Sequence, residues 1–271
     1  MKKNILFFFF QSFLYLFSLA QTDSLSNKKN NKMSLSFAIG KTIPEGAFEV
    51  YVDDKTGNRA GAASFGYYGK LDFHYLIHKK FGVVAMLYSS LNNSITIPYN
   101  QYHLPSSTGL GGGFIITSKS YDSKNWKTNG VLIGLYATKV KKLMSINFNL
   151  TAGIQQVKSP ETHIYYTGYN WIGGTKTGTF SSVITQPSLY SYNIVLDFGI
   201  DWVVALSPIY KVKFGIENFF SQATFDGKLK YNSETNNIDG SSTTNESQIH
   251  LHFTKNVLMF GLNAGIIYTI K

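Results

Sequence analysis

Residues 60–92 read AGAASFGYYGKLDFHYLIHKKFGVVAMLYSSLN, and they decide the class of this protein. Two long alternating runs flank a break at Lys79-Lys80. In the first run Phe65, Tyr67, Leu71, Phe73, Tyr75 and Ile77 share one face. Ser64, Gly66, Tyr68, Lys70, Asp72, His74 and His78 share the other. The second run places Phe81, Val83, Ala85, Leu87 and Leu91 together, opposite Gly82 and Ser90. A period of two sustained this long predicts strands. All the charges of the first run fall on one face. A soluble sandwich buries its apolar face and wets its polar one. A barrel in an outer membrane inverts this, with apolar residues toward lipid and polar ones toward the lumen.

Composition agrees with the second class. Charged residues make up 15% of the chain and aromatic residues another 15%, with 18 Tyr, 21 Phe and 24 Gly. That balance suits a wall with aromatic girdles better than a soluble surface, which carries more charge. Residues 1–20 are expected to be a secretory signal peptide. Lys2-Lys3 opens it, Ile5 to Phe10 and Phe13 to Phe17 form the apolar part, and cleavage is expected after Ala20. No other stretch has the roughly 20 apolar residues of a membrane-spanning helix. Loss of Lys2 and Lys3 lowers the net charge by two, from +10 to +8. No compact basic run with interleaved aromatics accompanies that charge, so no nucleic-acid partner is assigned. An anionic surface such as lipopolysaccharide fits better. With no cysteine in the chain, disulfides, thiol chemistry and Cys-ligated zinc are excluded.

In order, residues 21–32 read as a flexible polar arm and 33–271 as one barrel domain. Strands are expected over 33–40, 61–78, 81–96, 126–139, from 144 to about 155, 188–206 and 209–223. Strand six sets Tyr190, Tyr192, Ile194, Leu196, Phe198, Ile200 and Trp202 against Ser191, Asn193, Asp197, Gly199 and Asp201. In strand seven Tyr210, Val212, Phe214 and Ile216 oppose Lys211, Lys213, Gly215 and Glu217. The last stretch, 247–271, changes phase. Ile249, Leu251 and Phe253 are odd-numbered, whereas Leu258, Phe260, Leu262, Ala264, Ile266, Tyr268 and Ile270 are even. A bulge at 254–256 is expected to accommodate this, giving eight strands. Ten is the alternative if Ala47 to Val52 joins the wall.

Connections alternate in length. Those at 79–80, 140–143 and 207–208 are short, while 44–60, 97–125, 159–186 and 225–246 are expected to be long loops. Barrels with short periplasmic turns and long outer loops alternate in this way. The run Gly109 to Gly113 matches no phosphate-binding pattern and reads as surface loop. On GKTIPEGAF (Gly40 to Phe48), the hairpin LDFHYLIHKKFGVV and the final LNAGIIYTI, the chain resembles the Bacteroidetes-type outer-membrane β-barrel domain family, of the small OmpA/OmpX-like or OmpW-like form. The resemblance implies an all-β, antiparallel up-and-down transmembrane barrel in the cell outer membrane. Its implied partners are outer-membrane lipid, lipopolysaccharide and the barrel-assembly machinery, with the chain a monomer. Such barrels often end in an aromatic residue, and Tyr268 stands nearest to that role.

An eight-stranded barrel has room inside only for side chains. The expected lumen set is Lys70, Asp72, His74, His78, Asp197, Asp201, Lys211, Lys213 and Glu217, with Asn147 and Asn149. Both signs are present, so a paired network is expected, since buried charges need partners. The implied role is structural, or surface binding through the outer loops. A narrow channel for small solutes and an outer-membrane lipid-modifying enzyme are the alternatives. Tyr165, Tyr166, Tyr169 and Trp171 in the third long segment are the ligand-binding candidates. No catalytic residue, metal or cofactor is assigned. In one strand His74 and His78 would stand about 13 Å apart, too far to share a metal.

Overall fold

The hairpin that opens the sequence argument is β2 (Ala63–Leu76) and β3 (Phe81–Ser94), joined through residues 77–80. It belongs to a computed structural model describing residues 32–45, 63–94, 112–141, 143–172 and 175–270. The signal-peptide segment, residues 21–31 of the arm, and the Ala47 to Val52 segment lie outside the described residues.

The other strands are β1 (Met33–Glu45), β4 (Gly112–Ser123), β5 (Trp126–Lys141), β6 (Met144–Lys158), β7 (Thr162–Ile172), β8 (Thr175–Gln186), β9 (Tyr190–Ala205), β10 (Tyr210–Asn237) and β11 (Ser242–Ile270). Among the described residues they form one antiparallel sheet of eleven strands, and the sheet closes on itself. Its order is β11-β1-β2-β3-β5-β6-β9-β10, and β10 pairs back to β11 to complete the ring. Strands β8, β7 and β4 branch from the far part of β10, beginning at the pair Lys230↔Thr185.

The sheet therefore departs from the expected count of eight strands, or ten. The added strands come from two segments expected to be loops, 97–125 and 159–186. Their Tyr/Thr/Ser-rich alternation is weak, and it becomes strand because β10 offers a free edge on which they pair. The 225–246 segment is likewise no loop. It continues β10 and β11 to 28 and 29 residues, with a turn at 238–241 where Gly240 takes φ of +84°. At 3.4 Å per residue such a strand is about 90 Å long, against the 9–11 tilted residues that cross a membrane. The hairpin therefore stands far beyond any bilayer.

The expected bulge at 254–256 is absent. Pairing runs without a shift from Tyr210↔Tyr268 to Asn236↔Ser242. The phase change has another cause. From Phe253 to Thr269 the odd residues of β11 point into the ring without interruption, and the ring's filling changes from apolar Phe253, Val257 and Met259 to polar Asn263 and Thr269. Pro44, the first residue of the expected 44–60 loop, instead continues β1 and pairs with Met259 one residue before the strand stops.

The inverted pattern is visible around the ring. Ile39, Ile133 and Ile194 are 61%, 68% and 72% exposed, whereas Asp72, Lys213 and Glu217 are 0% exposed. In lipid the outward apolar band is stable, and closure pairs the edges that would otherwise present unpaired N–H and C=O groups. Tyr210 and Tyr268 sit 5.6 Å apart at the short-turn end, where amphipathic rings match a headgroup region.

Candidate functional site

Inward residues from the eight strands of the ring stack in layers. The lower layer, toward the short turns, is ionic. Lys213 on β10 reaches Asp72 on β2 at 2.8 Å and Asp201 on β9 at 3.4 Å. Lys70 pairs with Glu217 and lies 3.5 Å from Asp72. Neutral donors complete the layer. Ser36 donates to Asp72 at 3.1 Å, Asn149 to Asp201 at 3.4 Å, and Thr151 to Asp197 at 3.1 Å. Alternation delivers these groups, because Lys70, Asp72 and His74 are consecutive inward positions of β2, while Lys213 and Glu217 share the inward face of β10. Two glycines make room. A Cβ on Gly215 would lie 2.1 Å from Asp201 Oδ1, and one on Gly199 would lie 2.5 Å from Glu217 Oε2.

Above it the filling is aromatic. Tyr88 stacks on Phe219 at 4.6 Å, and Tyr68 meets Phe219 edge-on at 6.0 Å. Higher up, Phe225 packs against Trp126 at 5.8 Å and Phe253 at 5.0 Å. The polar ends of these rings are paired. Tyr68 Oη accepts from Asn263 Nδ2 at 2.9 Å, and Tyr88 Oη donates to Gln155. Met86, Leu132, Val195, Val257 and Met259 fill the remaining space. The ring is thus plugged twice, by ion pairs and by a close-packed apolar layer. Burial of each large side chain contributes about 1.5–3 kcal/mol over exposure to lumen water.

His74, at the lower edge of the ionic layer, packs on Tyr136 at 4.5 Å between ring centres, and neither ring nitrogen has a hydrogen-bond partner among the described residues. Below it the short-turn mouth opens into a cavity of about 370 Å³.

Of the residues singled out in the sequence, Lys70, Asp72, His74, Asp197, Asp201, Lys213 and Glu217 are buried inside the ring, as are Asn147 and Asn149. His78 is not inside. It is exposed in the 77–80 turn, where its N–H bonds Phe81 O at 2.9 Å, because β2 stops at Leu76. Lys211 is half-buried and lines the mouth. The four aromatic candidates all lie on β7, a strand of the outer sheet, so they do not form one loop surface. Tyr165 is exposed and Tyr166 is buried with Ile164, Phe180, Ile184 and Leu229 in a second small apolar cluster. Tyr169 carries Lys176 Nζ 3.5 Å from its ring centre, and Trp171 pairs through its backbone with Gly113. The aromatic plug was not recognised from the sequence. Its signal was available, since Tyr68 shares the face of Lys70, and Phe219 the face of Glu217.

Among the described residues no group of three or more His, Cys, Asp or Glu is arranged to hold a metal. Outside the ring, Lys124 pairs with Glu161 at 2.5 Å, and His163 lies 3.2 Å from the same carboxyl group. The Lys124 ammonium holds the Glu161 carboxyl below the usual range, and Glu161 raises Lys124 in return. This cluster joins the start of β7 to the end of β4, beside the backbone bond from Lys124 N to Glu161 O at 3.0 Å.

A closed antiparallel ring with an apolar outside and a polar, ion-paired inside is the general form of an outer-membrane β-barrel. Solved structures of that kind are similar to this chain. Neisserial surface protein A is 9% identical with a TM-score of 0.42, covering 89% of this chain and 98% of that one. Ail, the attachment invasion locus protein of Yersinia pestis, is 12% identical with a TM-score of 0.37, covering 88% and 97%. The outer membrane protease OmpT of Escherichia coli is 10% identical with a TM-score of 0.35, covering 92% and 100%. At these scores the fold rests on the strand pairings and the burial pattern. No protein-family model and no curated protein matches the sequence.

Proposed function

We propose that this protein is a closed outer-membrane barrel whose role is structural and surface-directed. Its wall anchors the outer sheet of β4, β7, β8 and the far ends of β10 and β11 outside the cell. The double plug is the observation that carries this reading. A channel needs a continuous wet path, and here a fully buried ion-pair layer lies under a fully buried aromatic one. The eight strands that complete the ring are the ones we assign to the membrane. The ring closes with its own strands, which fits a monomer. Its partners on this reading are outer-membrane lipid and lipopolysaccharide around the wall and the barrel-assembly machinery during insertion. We place it with the Bacteroidetes-type barrels on the residues quoted above.

The test exploits the absence of cysteine. Single-cysteine variants Lys228→Cys, on the outer hairpin, and Lys139→Cys, at the short-turn end, are expressed and exposed to a membrane-impermeant maleimide on intact cells. Labelling of the first alone, recovery in the outer-membrane fraction and no stable conductance in planar bilayers are expected. Recovery in the soluble periplasm, or large stable conductance, would overturn the reading.

A further inference from the structure

Among the described residues, the short-turn mouth is lined by cations and by no acid. Lys32, Lys79 and Lys211 line its 370 Å³ cavity, and no Asp or Glu is among the lining residues. The nearest inward carboxyl groups lie one layer up, where Lys70 and Lys213 engage Asp72 and Asp201. Neutral polar groups form another part of the lining. Thr138 donates to Asn147 Oδ1 at 2.8 Å, which leaves the Asn147 amide nitrogen as that side chain's donor. Thr269 is 6% exposed, and its buried Oγ1 has no hydrogen-bond partner among the described residues. A buried hydroxyl is ordinarily paired, and Thr269 lines the mouth, so its hydroxyl is available to a ligand there.

We propose that the mouth binds a phosphate group. Three lysines around one opening, with no carboxyl group among its described lining residues, give the mouth a positive potential that attracts an anion. Lysine recognises phosphate as a flexible point charge, and a tetrahedral oxyanion has acceptors enough for three lysines, a hydroxyl and an amide together. The cavity is larger than a bare phosphate ion needs, and Leu76, Val203 and Ile267 give part of its wall an apolar surface. A phosphate ester therefore fits better than the bare ion. The ester is supplied either by a free phosphate compound or by a phospholipid headgroup at the rim. This inference rests on the barrel reading above.

The test uses the full mature chain folded in non-ionic detergent. Inorganic phosphate and short-chain dihexanoyl phosphatidylglycerol are titrated separately, and binding is followed by calorimetry and phosphorus NMR. The variant Lys79→Gln/Lys211→Gln is expected to bind at least about tenfold more weakly, and Thr269→Val a few-fold more weakly. The control Lys139→Gln/Lys141→Gln lies on outward positions of β5 and is expected to bind as the parent does. Binding of both probes identifies a free-phosphate site, and binding of the lipid alone identifies a headgroup site. Either supports the proposal. No binding of either probe, or equal weakening in the control, overturns it. A heat-modified gel band reports folding in every variant. Its absence from the parent would count against the barrel, whereas its presence without binding counts only against the phosphate site.

Discussion

Lys213 Nζ lies 2.8 Å from Asp72 Oδ2, although 141 residues separate them in the chain. The pair ties β10 to β2 across the inside of the ring, and the same ammonium reaches Asp201 at 3.4 Å. One cation thus serves two buried carboxyl groups from different strands.

Removing that cation should be costly. Lys213→Met removes the cation shared by Asp72 and Asp201, leaving Asp72 the longer, 3.5 Å ion pair with Lys70, and breaking a buried pair from one side costs about 3–5 kcal/mol. The urea midpoint of the folded protein in detergent should fall accordingly. The triple variant Lys213→Met/Asp72→Asn/Asp201→Asn should recover most of the loss. No recovery would show that the pairing itself is not what Lys213 supplies.

Gly215 should tolerate no side chain. A Cβ there would stand 2.1 Å from Asp201 Oδ1 and 2.9 Å from Asn263 Nδ2, so Gly215→Ala must displace the carboxyl group from Lys213. The expected loss is about 1–3 kcal/mol, the usual cost of overpacking. Fraction folded after refolding, read from heat-modified gel mobility, measures it. An unchanged fraction would mean Asp201 has room to move.

The two plugs should separate stability from closure. Phe219 is buried and touches both Tyr68 and Tyr88. Phe219→Ala should cost about 3–5 kcal/mol yet leave the protein non-conducting, because the ion-pair layer below is intact. Planar-bilayer recording of the variant checks this. Stable conductance from Phe219→Ala alone would show that the aromatic layer is the true barrier.

Acid should loosen the outer sheet before the ring. Glu161 is held below the ordinary carboxylate range chiefly by its hydrogen bond to Lys124. A depressed carboxyl contributes stability above its unfolded value and loses it as pH falls through the folded one. The amide of Lys124, bonded to Glu161 O, should therefore exchange faster with deuterium at acid pH, after correction for intrinsic rates. Glu161→Gln should abolish that pH dependence. Equal pH dependence in the variant would assign the effect elsewhere.

The alternation in 63–91 was enough to reveal an inverted barrel wall, because every second residue of a strand faces one side whatever the strand packs against. It also placed Lys70, Asp72, Lys213 and Glu217 on inward positions. His78 was misplaced because alternation carries no mark of where a strand gives way to a turn. The phase change in β11 misled for a related reason. A bulge and a change in what fills the ring produce the same switch in hydrophobic parity, and only pairing with β10 separates them.

The sequence by itself determined the class, the parity of β2, β3, β5, β6, β9 and the near part of β10, and the short turns, since these depend on local period and turn chemistry. The tertiary structure decided three further things. It made strands of residues 112–123, 162–172 and 175–186, whose weak alternation needed the open edge of β10 to pair on. It stacked Tyr68, Tyr88, Trp126 and Phe219 into a plug, because which inward side chains share a level depends on the stagger between strands. It also gathered Lys32, Lys79 and Lys211 at one mouth, joining positions that only the closed ring brings together.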